Sequence, residues 1–328
     1  MNVLSLFNGI SCGQLALERA GIPVDVYYSS EIDKYANIVT QANYPDTIQL
    51  GDVTKWCEWD LPSIDIILAG SPCQGFSFAG KQLAFDDPRS KLFFEFVRIL
   101  KEFKVLNPDI KFLLENVKMK KEYQDVISGI LGVEPIEINS ALVSAQNRKR
   151  LYWTNIVGVE QPEDRGILLK YIVLPDVLPV ELDGLRGKNG CFGEGYARVY
   201  TDKSTTLRTP SGGGNIPSFV KADLIHTKEA LAYMDKTVVG GRTHWDFKHH
   251  SDIRKDKSAV VVANFFKGVP YNVFKDWDCV RKFHPIECER LQTAPDNYTD
   301  GVSNTQRYKM LGNGWTINVI SHILKGIK

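Results

Sequence analysis

Residues 3–31 read VLSLFNGISCGQLALERAGIPVDVYYSSE. Val3–Phe7 is a short apolar run of strand length, and a glycine-bearing turn follows it. Gln14–Ala20 then places apolar residues at helical spacing, and Val24–Ser29 is a second strand. The pattern continues outward. Lys34–Ala42 reads as a helix, and Ile64–Ala69 as a continuous buried strand bounded by Gly70. Leu92–Phe103 carries apolar residues at 92, 93, 96, 97, 99, 100 and 103, a helix with one buried face. Lys111–Leu114 is another strand and Tyr123–Leu131 another helix. Strands and helices alternating at these lengths predict an α/β fold, a doubly wound, mostly parallel sheet. Such sheets bind ligands outside the carboxyl ends of their strands.

The character changes near residue 160. Gln161–Gly195 is loop-rich, with Pro162, Pro175 and Pro179. Short strand-like pieces, glycine clusters at 212–214 and 240–241, and many Lys and Arg then run to about residue 282. Pro285–Leu291 and Ile317–Ile327 read as helical again. The expected organisation is a smaller domain inserted before a C-terminal return to the first.

Charge divides the same way. The 328 residues carry a formal net charge of +1, which read alone argues against a polyanion partner. Residues 1–157 hold 16 basic and 19 acidic side chains, a net of −3, whereas residues 185–282 hold 17 and 10, a net of +7. A local excess of that size is either a solvated face or a polyanion contact. Hydrophobic residues at 43% and charged residues at 24% exclude wholesale disorder. No apolar run approaches the roughly 18–20 residues of a membrane span. Met1–Gly13 lacks the basic start and cleavage site of a secretion signal. The six cysteines are too sparse for a disulfide scaffold, and none is paired at CxxC spacing. No metal site is expected: His244, His249 and His250 have no Cys or acid spaced to complete one. The reading is an intracellular protein with reduced thiols, one of them free for chemistry.

Four constellations carry that chemistry. In Leu6–Gly13, Gly9 and Gly13 let the backbone approach a ligand closely. Glu31 ends the second strand, where nucleotide-binding α/β folds place an acid for ribose hydroxyls. Asp52 is placed to accept from an adenine amino group, and the three features in register point to an adenosine-containing cofactor; each acid alone is more often a surface cap. Gly70–Ser77, GSPCQGFS, leaves a buried strand at its carboxyl end, and the Ser-Pro and Gln-Gly around Cys73 make a rigid exposed turn suited to a nucleophile. Leu113–Val117, LLENV, ends an apolar strand in Glu115, an acid beside that nucleophile or a cap for the next helix. Gln146–Arg150 precedes a strand, where alternation puts Arg148 and Arg150 on one face. That face binds a carbonyl oxygen, holds the Glu115 carboxylate, or is a solvated basic edge.

Together these residues resemble the DNA (cytosine-5) methyltransferases, in the family's order and over nearly the whole chain. The Phe-x-Gly turn, Glu31, Asp52, Pro-Cys-Gln, Glu-Asn-Val and Gln-x-Arg-x-Arg all correspond, as do Arg281–Pro295, with Pro285, Glu287 and Arg290, and Gly312-Asn313. The resemblance implies the Rossmann-like fold of S-adenosylmethionine-dependent methyltransferases. Its catalytic, cofactor-binding domain would be residues 1–172 with 283–328, and its DNA target-recognition domain residues 176–280. It implies methyl transfer from S-adenosyl-L-methionine to C5 of cytosine in double-stranded DNA, with the target base flipped out of the helix. Cys73 would attack C6. Glu115 would hydrogen-bond N3 and the exocyclic amine, Arg150 would bind O2, and Arg148 would help position Glu115. Phe7 would stack on the adenine, Glu31 would take the ribose hydroxyls and Asp52 the adenine amine. Gly9, Ile32, Val53, Pro72, Leu92 and Asn313 would complete the pocket, and Gly75–Ser90 would close over the flipped base. Gln74, Ser77, Arg198, Thr206, Arg208 and Gly213 would contact DNA, with Arg198 and Arg208 reading bases. The implied protein is a cytoplasmic monomer, bacterial or phage-encoded, with a cognate restriction endonuclease as a candidate partner.

The sequence also departs from that pattern. Many bacterial members have Asp where Ser5 stands and two Gly where Ser11 and Cys12 stand. This form and Gly314-Trp315 look more like the animal de novo branch. Residues 215–280 have no clear counterpart in the small members. Two other activities are compatible with parts of the sequence. One is a transfer-RNA cytosine-5 methyltransferase, whose branch tends to have Cys-x-x-Phe-Thr where this chain has Cys73–Ser77. The other is a regulatory relative that binds DNA without chemistry.

Overall fold

The computed structural model describes residues 1–71, 91–174, 199–200, 204–205, 216–221, 259–263 and 279–327. Strands β1 (Asn2–Leu6), β2 (Val26–Ser30), β3 (Ile48–Gln49), β4 (Ile66–Ala69), β5 (Lys111–Val117), β6 (Ile136–Asn139), β7 (Gln146–Asn147) and β8 (Lys149–Thr154) fall in the first half. They alternate with helices α1 (Cys12–Ala20), α2 (Lys34–Asn43), α3 (Lys91–Leu106) and α4 (Lys121–Leu131). One sheet has the order β3-β2-β1-β4-β5-β8-β6. Pairings from β3 to β5 are parallel, and β8 runs antiparallel between β5 and β6. This is the doubly wound, mostly parallel α/β sheet the alternation predicted.

The period-two pleat sorts side chains into two cores. Val3, Tyr27, Ile66, Leu68, Leu113 and Tyr152 enter one, under α1 and α2. Leu4, Leu6, Tyr28, Ile67, Ala69, Phe112, Leu114, Leu151 and Trp153 enter the other, under α3 and α4. Helix α3 buries Phe93, Phe96, Val97, Ile99, Leu100 and Phe103, the spacing of one helix face. Each such side chain taken from water contributes about 1.5–3 kcal/mol.

The C-terminal helices α5 (Pro285–Leu291), α6 (Asn304–Asn313) and α7 (Ile317–Leu324) complete the first core. Helix α7 buries Ile317, Val319, Ile320, Ile323 and Leu324 and packs against α1. Helix α5 begins with a capping box between His284 and Glu287 and has Pro285 in its first turn. The Glu287 carboxylate accepts from the backbone N–H of Leu174 and of His284, both at 2.7 Å. One buried acid therefore ties the chain on both sides of residues 175–282.

Strands β9 (Val199–Tyr200), β10 (Ser204–Thr205), β11 (Ile216–Lys221), β12 (Ala259–Ala263) and β13 (Cys279–Lys282) lie in that stretch. Four form an antiparallel sheet of order β13-β11-β12-β9, and β10 pairs in parallel with β7.

The sheet order reverses at β1. From it the chain winds through β2 to β3 on one side, then returns to start β4 and β5 on the other. The turn after β1 therefore opens into the crevice where such folds take ligands.

Candidate active site at the carboxyl ends of β1, β2, β4 and β5

The β1 turn has an unusual backbone. Phe7, Gly9 and Ser11 all have φ between 56° and 58°, the left-handed region. Glycine adopts this freely, whereas the two L side chains each incur roughly 1–2 kcal/mol. Side chains hold the turn in place. Asn8 donates through Nδ2 to Ser11 Oγ at 2.8 Å and accepts at Oδ1 from Tyr27 Oη at 3.1 Å. Glu31 accepts from Gly9 N at Oε2 and from Ile32 N and Asp33 N at Oε1, each at 2.8 Å. The acid at the end of β2 is thus locked to the turn at the end of β1. A Cβ built on Gly9 would meet nothing within 4 Å, so the space above it is open. Ile32 beside it is 77% exposed.

The remaining residues of that pocket divide. Phe7 and Leu92 are partly buried against the second core and Val53 is inside it. Asp52 accepts at Oδ1 from Thr54 N at 2.9 Å and caps the 3-10 turn Val53–Glu58. Asn313 is the exposed last residue of α6.

At the other side of the crevice, Glu115 lies within β5. The sequence reading ended that strand near Glu115; the structure carries it to Val117, because β8 pairs alongside as far as Val117↔Arg150. Arg150 Nε approaches Glu115 Oε1 at 3.0 Å, with side chains only 13% and 11% exposed. Tyr152, two residues from Arg150 along β8, is paired with Glu115 across the ladder. Burial pushes its phenol well up, and the Glu115 charge adds to the rise.

Arg148 is also buried, and it donates to the carbonyls of Gly312 at 3.3 Å and Gly314 at 2.9 Å. In the described structure Arg150 makes the ion pair with Glu115, while Arg148 fastens the chain between α6 and α7. The sequence reading set both on one face of a strand; Arg148 falls between β7 and β8, and Arg150 is the one that meets the carboxylate. Gln146 donates to Leu291 O and Gln292 Oε1, both at 3.1 Å, and links β7 to the end of α5.

Pro72, Cys73, Gln74 and Ser77 lie outside the described residues, as do Gly75–Ser90, Arg198, Thr206, Arg208 and Gly213. The described cysteines are informative all the same. Burial pushes the Cys12 thiol up to about 11 and raises that of Cys288 well above its usual value. Neither is a thiolate near neutral pH, and a thiol must ionise to act as a nucleophile. Cys57 is exposed on the 3-10 turn.

Three residues near the crevice escaped the sequence reading of the site. Asn116 donates to Ser71. Trp315 packs against Gly70, where a Cβ would come within 2.8 Å of its Nε1. Asn8 organises the β1 turn. Asn116 and Trp315 stood in recognised motifs, but their partners lie far away in sequence.

The sheet order, with Glu31 after β2 and Glu115 within β5, defines a Rossmann-like α/β fold. Comparison with known proteins narrows this. The chain belongs to the C-5 cytosine-specific DNA methylases, whose family profile matches residues 1–126 and 187–328. It is 29% identical to the Type II methyltransferase M.HhaI of Haemophilus parahaemolyticus, over 100% of this chain and 94% of that protein. It is 36% identical to the Type II methyltransferase M.HgiCI of Herpetosiphon aurantiacus, over 99% of this chain and 97% of that one. The same fold occurs in the crystal structure of a Spodoptera frugiperda DNMT2 mutant, with a TM-score of 0.61 and 22% identity, covering 99% of this chain and 98% of the other.

Proposed function

We propose that the chain transfers a methyl group from S-adenosyl-L-methionine to C5 of cytosine in double-stranded DNA. The Glu115–Arg150 pair beside the β4 exit carries this reading. The pocket suits the cofactor. Open space lies above Gly9, an exposed apolar Ile32 offers cover for a flat base, and Glu31 is anchored as an acceptor with lone pairs still available for hydroxyl donors. Phe7, Asp52, Val53, Pro72, Leu92 and Asn313 would complete its binding. When bound, the sulfonium cofactor supplies an electrophilic methyl group.

The protein's own residues make cytosine receptive. C5 is a poor nucleophile. Addition of the Cys73 thiolate to C6 moves the C5=C6 electron pair toward C5 and loads charge onto N3 and O2. Glu115 hydrogen-bonds N3 and the exocyclic amine and stabilises the charge that develops on attack. Arg150 stands against Glu115 and donates to O2. After C5 is alkylated, a base removes its proton and the returning electron pair expels Cys73. The target must first leave the duplex, which costs a few kcal/mol.

We further assign catalysis and cofactor binding to 1–172 with 283–328, and target recognition to 176–280. The separate antiparallel sheet and the local charge of +7 support this division. No helix among the described residues is long and apolar enough to cross a membrane. A monomer acting in the cytoplasm, with or without a restriction endonuclease, completes the reading.

The test is bisulfite sequencing of plasmid DNA from cells expressing the chain, which also gives the target site. Cys73→Ala should leave cofactor binding intact and abolish methylation. Methylation by that variant would overturn the mechanism, and transfer to transfer RNA but not duplex DNA would overturn the substrate.

A further inference from the structure

We propose that Lys309 is a positioning residue for Glu31, acting through Asp33 at the rim of the cofactor pocket. The inference rests on Glu31 taking the cofactor's hydroxyls, as proposed above.

Asp33 links the two. Its backbone N–H donates to Glu31 Oε1 at 2.8 Å, beside that of Ile32. Its own carboxylate has two separate partners. Oδ1 accepts from Tyr35 N at 3.0 Å and caps α2, whereas Oδ2 accepts from Lys309 Nζ at 2.6 Å. Burial alone would raise the Asp33 carboxyl, but Lys309 and the Tyr35 N–H hold it below its ordinary value. The contact with Lys309 is therefore ionic at neutral pH. Whatever fixes Asp33 also fixes a donor to the Glu31 carboxylate.

Lys309 is itself on a firmly held element. It belongs to α6, in the chain that returns after residue 282, and lies 276 positions from Asp33. Polar contacts fasten α6 on both sides of it. Two residues before, Arg307 donates to Glu289 at 2.8 Å, and both side chains are buried. Two residues after, the carbonyl of Leu311 accepts from Gln292 Nε2 at 2.7 Å, and that of Gly312 accepts from Arg148. The helix is thereby a fixed post, and Lys309 carries its position across to the rim.

The pair is partly open to water, with side chains 38% and 23% exposed, and such pairs add little to folding stability. Without Lys309 the bond to Tyr35 remains, so Asp33 keeps one of its two side-chain holds. Glu31 is then loosened but not released. Hydrogen bonds weaken as distance and angle leave their optimum, so the effect falls on how well Glu31 meets the hydroxyls.

The test is calorimetric titration of S-adenosyl-L-methionine into the full chain. Lys309→Met should raise Kd about threefold to tenfold, a modest loss because the pair is partly solvated. The melting temperature of the ligand-free protein should shift by less than about 2 °C. Lys309→Arg, which keeps the charge, should recover most of the affinity. Asp33→Asn keeps an oxygen to cap α2 but loses the charge, and should weaken binding by a similar factor. The double variant Asp33→Asn/Lys309→Met should bind no worse than the weaker single one, as expected for residues acting through one contact. The methylation rate at saturating cofactor should be unchanged. Wild-type Kd in Lys309→Met overturns the inference alone when Glu31→Gln, titrated alongside, does weaken binding. A loss in Lys309→Met that Asp33→Asn does not share also overturns it, by showing that Lys309 touches the cofactor itself. Loss of affinity with a parallel fall in melting temperature overturns it too, by showing only a structural role. Should Lys309→Met not fold, Lys309→Gln and Asp33→Asn decide. Wild-type affinity in Glu31→Gln overturns the reading of the pocket and the inference together.

Discussion

Glu31, just past β2, and Glu115, near the carboxyl end of β5, lie on opposite sides of the β1 switch point, and they are held in opposite ways. Glu31 has no ion pair among the described residues. Its oxygens accept three backbone N–H groups, from Gly9, Ile32 and Asp33. Glu115 faces the Arg150 guanidinium from within a strand, and both side chains are largely withdrawn from water. The first is a fixed acceptor whose charge is spread over the backbone. The second is a charge balanced by a single side-chain partner. An acceptor of the first kind suits steady binding of hydroxyls, and a balanced charge suits chemistry.

Arg150→Ala gives the largest way to break that contrast. It leaves Glu115 largely buried without its counter-charge, and removes a donor from the site where charge develops. The methylation rate at saturating cofactor and DNA should fall roughly 10²–10³-fold. A rate within threefold of wild type would show that the pair is only structural. Glu31→Gln should act on the other side and by less. Cofactor Kd should rise about tenfold to a hundredfold, with the saturated rate little changed, since one strong charge-assisted bond or two are weakened. Equal loss in Kd and rate would erase the distinction between a binding acid and a chemical one.

The smallest effect concerns Cys12, next to the Glu31-bound turn. Its thiol is shifted from an ordinary 9.0 to about 11 by burial. Between those values the unfolded chain releases the proton and the folded one keeps it. This contribution is therefore full below pH 9 and is lost as pH rises toward 11, at up to about 1.4 kcal/mol per pH unit. Cys12→Ala should flatten that part of a denaturation-versus-pH curve. An unchanged slope would mean that the thiol is not sealed.

Much of this architecture is legible in the sequence. The apolar run Val3–Phe7, the face of Leu92–Phe103 and the helix Pro285–Leu291 each announce themselves within a few residues, because pleat and helix periods are local. Helix Asn304–Asn313 was not legible: it buries Arg307, Met310, Leu311 and Gly312, and only Met310 and Leu311 are strongly apolar. Arg307 is admitted to the interior by Glu289 at 2.8 Å, a partner 18 residues earlier that no periodicity reveals. The end of β5 was misplaced for a similar reason, since β8 extends it from more than thirty residues away.

The sequence by itself determined the alternation of strand and helix, the acid that follows β2 and the uneven charge. Those follow from short-range chemistry and spacing. Only the tertiary structure decided that Arg150 meets Glu115, that Arg148 holds the carbonyls of Gly312 and Gly314, and that Asn116 reaches Ser71. Each of those contacts joins residues that sheet pairing or core packing brings together across 35 to 166 positions of chain. Their partners are chosen by register and by the need to satisfy buried polar groups, quantities that exist only once the sheet has closed.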